Sequence, residues 1–231
     1  MKAMILAAGL GTRMRPLTDH IPKPLLKIGN KTLIECHIEN LAKAGIKKII
    51  INHAYLGEKI EATLKDGSDY GVQIQYSRED TALETGGGIL KALPLLIDQD
   101  EQDFIVVNSD IWTEYDFKEL LKPMVGLAHL VLVQNPTYHP QGDFALVDNL
   151  VKNPTQNPTV CTFSGISVLN AKLFTEVDSG VKTFPLAPLL RKACDQNLVT
   201  GELYQGQWWD IGTPERLHML NSFLSTKTDV K

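Results

Sequence analysis

The first 108 residues alternate between short apolar runs and segments with helical spacing, which restricts the chain to a sheet covered by helices on both faces. Lys2 to Ala7 is apolar after its first residue and leads into Gly9, the pattern of a strand buried on both sides in a parallel sheet. A long polar loop follows, broken by Pro16, Pro22 and Pro24. Asn30 is placed to cap a helix carrying Ile34, Ile38 and Leu41 on one face, with Gly45 at its end. Lys48 to Asn52 reads as a second strand. Leu56, Ile60 and Leu64 line a second helix, which Asp66-Gly67 ends, and Val72, Ile74 and Tyr76 alternate as a half-buried third strand. A third helix is expected from Gly88 to Leu96 and a fourth strand from Phe104 to Val107. The expected fold is α/β, a doubly wound Rossmann-like mixed sheet in a single domain. Its ligand edge lies beyond Ala7, Asn52, Ser77 and Asn108, at the carboxyl ends of the strands. In the second half, strands are expected at Leu127 to Val133, Phe144 to Val147 and Thr162 to Leu169, and helices at Leu186 to Cys194 and Pro214 to Leu224.

The balance of 23 Lys+Arg against 27 Asp+Glu gives a net charge of −4, which argues against a nucleic-acid or anionic-membrane binder. Any anionic ligand must then be met by local cations. The apolar stretch at the start stops too soon for an export signal, with Arg13 and Arg15 where its cleavage site should be. No apolar run reaches the length of a membrane span, so a cytoplasmic protein is expected. Cys36, Cys161 and Cys194 are odd in number and widely spaced, which suits reduced thiols better than disulfides or zinc. The composition leaves the oligomeric state open between a monomer and a small homo-oligomer.

The loop after the first strand carries the chemistry. It reads Ala7-Ala8-Gly9-Leu10-Gly11-Thr12-Arg13-Met14-Arg15-Pro16-Leu17-Thr18 and continues into Pro22-Lys23-Pro24. Gly9 and Gly11 let the backbone approach a phosphate chain so that successive N–H groups face it. Residues 1–27 hold five basic residues against the single acid Asp19, a local excess of four positive charges. A dinucleotide fingerprint would need glycine where Met14 stands, and a Walker loop would need glycine before Lys31-Thr32, where Asn30 stands. No G-x-S-x-G elbow or H-E-x-x-H pair occurs, and the six histidines show no ligand spacing.

The loop resembles the signature of the sugar-1-phosphate nucleotidyltransferases, G-x-G-T-R followed by P-L-T and P-K-P. Leu83-Glu84-Thr85-Gly86-Gly87-Gly88-Ile89, the Asp110 segment and Trp209-Asp210-Ile211-Gly212-Thr213 follow in that family's order. Within it, the segments at residues 52–57, 126–133 and 162–169 are similar to the branch that joins UTP to a muramic sugar 1-phosphate in peptidoglycan recycling. The resemblance implies a GT-A-like fold over residues 1–225, with nucleotide binding in about 1–110, sugar binding in about 111–225 and a frayed tail at 226–231. It also implies attack of a sugar-1-phosphate oxygen on the α-phosphorus of a nucleoside triphosphate, with pyrophosphate leaving. The nucleophile is already ionised, so no general base is required.

By the same resemblance, Arg13 holds the leaving phosphates and Lys23 the transferring group, while Gly9, Gly11 and Thr12 cradle the triphosphate. Arg15 either joins them or pairs with a surface acid. Asp110 and Asp210 are the implied Mg²⁺ ligands, with Ser109 standing where the family has glycine before the first of them. Ala7, Ala8 and Gly9 with Glu84, Thr85, Gly86 and Gly87 are the implied base contacts. Asn52, Asp143, Ser164 and Gly165 are the implied sugar contacts. Lys182 stands in for a family lysine that Lys152 fits poorly, and the muramic lactyl carboxylate has no evident cationic partner. Trp112, Trp208 and Tyr115 are candidate walls of the sugar pocket. Other pairs, glucose 1-phosphate with dTTP or mannose 1-phosphate with GTP, stay open, as does a non-catalytic nucleotide-sugar binder. Only 21 residues follow Asp210, so no appended second domain is expected.

Overall fold

The computed structural model describes residues 1–154 and 160–228. In chain order its strands and helices are β1 (Lys2–Leu6), β2 (Lys27–Ile28), β3 (Lys31–Thr32), α1 (Leu33–Lys43), β4 (Lys48–His53), α2 (Gly57–Leu64), β5 (Gln73–Arg78), α3 (Glu84–Leu96), β6 (Asp103–Asn108), β7 (Ile111–Thr113), β8 (Ala128–Val133), β9 (Phe144–Val147), β10 (Leu150–Lys152), β11 (Val160–Asn170), α4 (Ala187–Asp195), β12 (Val199–Tyr204), β13 (Trp208–Asp210) and α5 (Pro214–Thr228). Nine strands form one sheet in the order β5-β4-β1-β6-β11-β8-β12-β10-β9. β5, β4, β1 and β6 are mutually parallel, whereas β11 runs antiparallel to both β6 and β8, so the sheet is mixed.

Residue alternation along β1 explains why both faces are covered. Ala3 and Ile5 pack with Ile34, Ile38 and Leu41 of α1 and with Ile60 and Leu64 of α2. Met4 points the other way, to Ile89, Ala92 and Leu96 of α3 and to Leu190 and Cys194 of α4. A third cluster joins Met14, Leu26, Ile28 and Leu33 to Ile211 and Leu220, which fastens the loop after β1 to α5.

Several boundaries differ from expectation. The cap of α1 is Thr32, not Asn30: Thr32 Oγ1 accepts from the Glu35 N–H and the Glu35 carboxylate accepts from the Thr32 N–H, a reciprocal capping box. α3 starts at Glu84 rather than Gly88, because its glycines pack against another segment instead of forming a turn. α5 continues to Thr228, past the expected start of fraying at 226, and residues 229–231 of that tail lie outside the described residues. β2, β3, β7, β10, β12 and β13 have no counterpart among the elements expected from the sequence. No helix among the described residues is long and apolar enough to cross a membrane.

Candidate active site

Chain order reverses between β1 and β6, and their carboxyl ends, Leu6 opposite Asn108, open a crevice where α/β sheets bind ligands. A cavity of about 220 Å³ lies there. Ala7, Ala8, Gly9, Lys23, Asn52, Glu84, Thr85 and Asp110 line it with Asn108 and Ser109, so residues from four separate expected motifs meet in one place. Among the described residues, no atom beyond Gly9 and its two chain neighbours stands within 4 Å of a Cβ placed on Gly9, which leaves open space beside that backbone. Gly11 has a different reason for being glycine: its φ is +63°, and a Cβ there would stand 3.1 Å from Thr18 Cγ2. The Thr18 hydroxyl donates to the Gly11 carbonyl at 2.8 Å and pins the turn.

Lys23 opens a short 3₁₀ turn, Lys23–Leu25, with Pro22 before it and Pro24 within it. Its Nζ, on a side chain one-tenth exposed, donates to Asp110 Oδ2 at 2.6 Å. Arg13 sits on the turn Thr12–Met14, exposed and outside the cavity lining, and makes no ion pair among the described residues. Arg15 pairs with Asp19 at 3.3 Å, the surface alternative for that residue.

Asn52 lies in the cavity, but both ends of its amide are occupied. Oδ1 accepts from the Ala7 N–H at 3.0 Å and Nδ2 donates to Glu79 Oε1 at 2.7 Å, while Glu79 Oε2 accepts from the Leu83 N–H at 2.9 Å. The buried Asn52-Glu79 pair thus ties the β1 loop to the start of α3. Sequence reasoning passed over Glu79, which belongs to no motif. Gly88 closes the same contact, since a Cβ there would stand 2.7 Å from the Glu79 carboxylate. Gly86 and Gly87 both donate their N–H groups to the Phe184 carbonyl, and a Cβ on Gly87 would lie 2.2 Å from the Lys182 carbonyl. Their amides are therefore held by the chain itself, and Glu84 and Thr85 are the cavity-facing part of that motif. Lys182 is exposed, with its backbone against Gly87. Lys152 donates to Asn197, whose side-chain oxygen holds it on the surface.

Asp110 and Asp210 come together through their backbones. Asp210 pairs with Ile111 in the β7–β13 ladder, and the Ile211 N–H donates to the Asp110 carbonyl at 2.8 Å. Asp210 Oδ2 accepts from Arg216 Nη1 at 2.5 Å. Each carboxylate thus carries one cation, and both remain partly exposed, at 34% for Asp110 and 26% for Asp210. Carboxylates are the hard oxygen donors that a hydrated Mg²⁺ accepts, and these two are carried by adjacent backbone segments. His37 supports the segment from below. Its Nε2–H donates to the Ile111 carbonyl at 2.8 Å, Nδ1 has no hydrogen-bond partner among the described residues, and burial lowers its pKa to about 4.

The remaining sugar candidates lie around a β-bulge in β11, between Phe163 and Ile166. The Ser164 hydroxyl donates to the Val131 carbonyl at 2.7 Å and accepts from the Ile166 N–H, so it is consumed within the bulge. Gly165 has φ +82° and approaches Asn108 on the cavity rim. Asp143 accepts from the Phe163 N–H at 2.9 Å and pairs with His139. A second, larger cavity of about 740 Å³ borders Asp210 and is lined by Asn135, Tyr138, Gln205, Trp208, Trp209 and Arg216 among others. Of the expected aromatic walls, only Trp208 faces it. Trp112 packs on Phe223, and the Tyr115 hydroxyl donates to Glu202.

A family profile described as "Nucleotidyl transferase" matches residues 2–227. The chain belongs to the nucleotidyl transferase family. The N-acetylmuramate alpha-1-phosphate uridylyltransferase of Neisseria meningitidis serogroup B is 47% identical over 94% of this chain and 95% of that protein. The mannose-1-phosphate guanyltransferase of Yarrowia lipolytica is 34% identical over 93% of this chain but only 61% of its own length. Among solved structures, a Bacillus anthracis protein described as a glucose-1-phosphate thymidylyltransferase superposes with a TM-score of 0.84 over 96% of this chain and 94% of that one. At 20% identity that likeness speaks for the nucleotidyl transferase fold alone.

Proposed function

We propose that this chain transfers the uridylyl group of UTP to N-acetylmuramate 1-phosphate, forming UDP-N-acetylmuramate and pyrophosphate. The observation that carries the reading is the Lys23–Asp110 pair, set in the β1–β6 crevice beside an open glycine loop, in a chain 47% identical to a uridylyltransferase of that name. An oxygen of the sugar phosphate forms a bond to the α-phosphorus while the bond to the β-phosphate oxygen breaks, and pyrophosphate carries the electron pair away. At ~4 Å and an effective dielectric of about 20, each unit-charge repulsion between the substrates costs on the order of 4 kcal/mol. Neutralising and aligning charge is therefore the main task. Lys23, held by Asp110, presents its ammonium to the transferring phosphate, the backbone at Ala8 and Gly9 admits the triphosphate, and exposed Arg13 is free to meet its β and γ groups. Asp110 and Asp210 would hold a Mg²⁺ ion, which supplies further positive charge at the phosphates when bound.

The test is pyrophosphate release from each of UTP, dTTP and GTP paired with the 1-phosphates of N-acetylmuramate, N-acetylglucosamine, glucose and mannose. UTP with N-acetylmuramate 1-phosphate is expected to give the highest kcat/KM, and EDTA to abolish it. Preference for another pair would overturn the substrate assignment, and silence from every pair with Mg²⁺ present would overturn catalysis.

A further inference from the structure

N-acetylmuramate is N-acetylglucosamine with a lactyl ether, so it brings a carboxylate that the sequence motifs leave without a partner. The second cavity contains the matching group. Arg216 lies on its wall, on the first turn of α5, with its side chain 18% exposed. Two contacts fix its guanidinium before any ligand arrives, and a glycine leaves space for it. Nη1 donates to Asp210 Oδ2 at 2.5 Å, the Tyr138 ring lies 4.0 Å from the guanidinium carbon, and Gly212 leaves room on the third side. A Cβ on Gly212 would stand 2.9 Å from Nη2. Nη1 donates to Asp210 and the guanidinium also meets the Tyr138 hydroxyl, which leaves part of its five-donor fork for a second acceptor.

We propose that Arg216 is the specificity residue that binds the lactyl carboxylate of the muramic sugar, an inference that rests on the substrate reading above. The cavity holding Arg216 borders Asp210, whose backbone lies beside the Asp110 segment, and in the proposed pose a sugar whose phosphate lies at Asp110 extends toward it, although the two cavities share no lining residue. A planar fork already oriented by an aromatic face is the donor that carboxylates take in bidentate fashion, and little side-chain freedom remains to be lost on binding. A Mg²⁺ ion held by Asp110 and Asp210 would take up part of the Asp210 charge, and the guanidinium would then face the lactyl group as a net cation. Trp208 and Trp209 complete an apolar wall that strengthens the contact by excluding water.

The experiment compares direct binding of UDP-N-acetylmuramate and UDP-N-acetylglucosamine by calorimetry, in the presence of Mg²⁺, for the wild type, Arg216→Gln and Arg216→Lys. The two ligands differ only in the lactyl ether. The wild type is expected to prefer the muramyl ligand, and Arg216→Gln to reduce that preference at least tenfold, about 1.4 kcal/mol. Arg216→Lys, which keeps the charge and loses the fork, should fall between them. An equal loss for both ligands would mean that Arg216 only steadies Asp210, and an unchanged ratio would mean that it touches neither; either result overturns the assignment. Should Arg216→Gln fail to fold, an unchanged ratio in Arg216→Lys overturns it equally. A wild type with no preference for the muramyl ligand would instead overturn the substrate reading beneath it.

Discussion

Lys23 and Asp110 hold each other at 2.6 Å, with the lysine nearly withdrawn from water. A charge kept in such surroundings is already oriented when phosphate arrives, and its interaction with developing charge is weakly screened. Replacing it by methionine preserves the apolar stem and removes the charge. Lys23→Met is expected to lower kcat on the order of 10²- to 10³-fold, measured as pyrophosphate release, with urea unfolding little changed. Near-normal turnover would remove Lys23 from the transfer step. Asn52 makes the opposite case. It was legible as a site residue from its place at the end of a strand, but its role was not, because its partner Glu79 is 27 residues away and carries no motif. Asn52→Ala would leave the buried Ala7 N–H and the Glu79 carboxylate each short of a partner, at a cost of about 2–4 kcal/mol. Denaturant unfolding measures that loss. Steady-state kinetics should show the KM for UTP rising more than that for the sugar phosphate, since Ala7 belongs to the nucleotide cavity; the reverse order would return Asn52 to the sugar.

At the scale of elements, what could be read depended on whether the stabilising contact was local. β1, β4 and β6 are largely buried apolar runs, Ala3-Met4-Ile5, Ile49-Ile50-Ile51 and Phe104-Ile105-Val106-Val107 at their centres, and each was visible in outline. β7 and β13 are three residues each, Ile-Trp-Thr and Trp-Trp-Asp, and exist only because each completes the other across most of the second half of the chain. The start of α3 was hidden for a related reason. Three successive glycines lower helix propensity and read as a turn, yet the first two are needed for the approach of the 182–184 backbone. The Thr32 cap was present in the sequence as Thr-x-x-Glu before an apolar run, and the nearby asparagine masked it. The contact of α1 with β7 also gives a pH dependence. The His37 pKa falls from 6.5 to about 4 through burial, so the unfolded chain binds the proton more tightly. The stability this histidine contributes is present above pH 6.5 and is lost as the pH falls from there toward 4, on the order of 3 kcal/mol in all. Urea midpoints at successive pH values should show this decline in the wild type and a shallower one in His37→Gln. Parallel curves would place the acid sensitivity elsewhere.

Across the whole molecule, the charge count needs the fold to be interpreted. Of the five basic residues among the first 27, Lys2 begins β1 at the end of the sheet away from the cavity and pairs with Asp98, while Arg15 is held by Asp19. The local positive excess therefore overstates what faces the crevice: of the five, Lys23 alone lines the cavity, paired with Asp110, and Arg13 makes no ion pair among the described residues. The sheet itself links the halves that the sequence divided near residue 110. β6 pairs with β1 on one side and with β11 on the other, and α5 returns to bury Leu220 against Met14, Leu26 and Ile28 beneath the nucleotide loop. A defect in α5 should then be felt by the first half of the chain. Leu220→Ala, which empties a fully buried position, is expected to cost about 2–5 kcal/mol. It should also weaken UTP binding, although α5 contributes nothing near Leu220 to the nucleotide cavity. In scanning calorimetry the variant should melt in one transition at a lower temperature, with calorimetric and van't Hoff enthalpies in agreement. Two resolved transitions, with only the later one shifted, would show instead that the nucleotide and sugar halves unfold apart and that α5 stabilises the second alone.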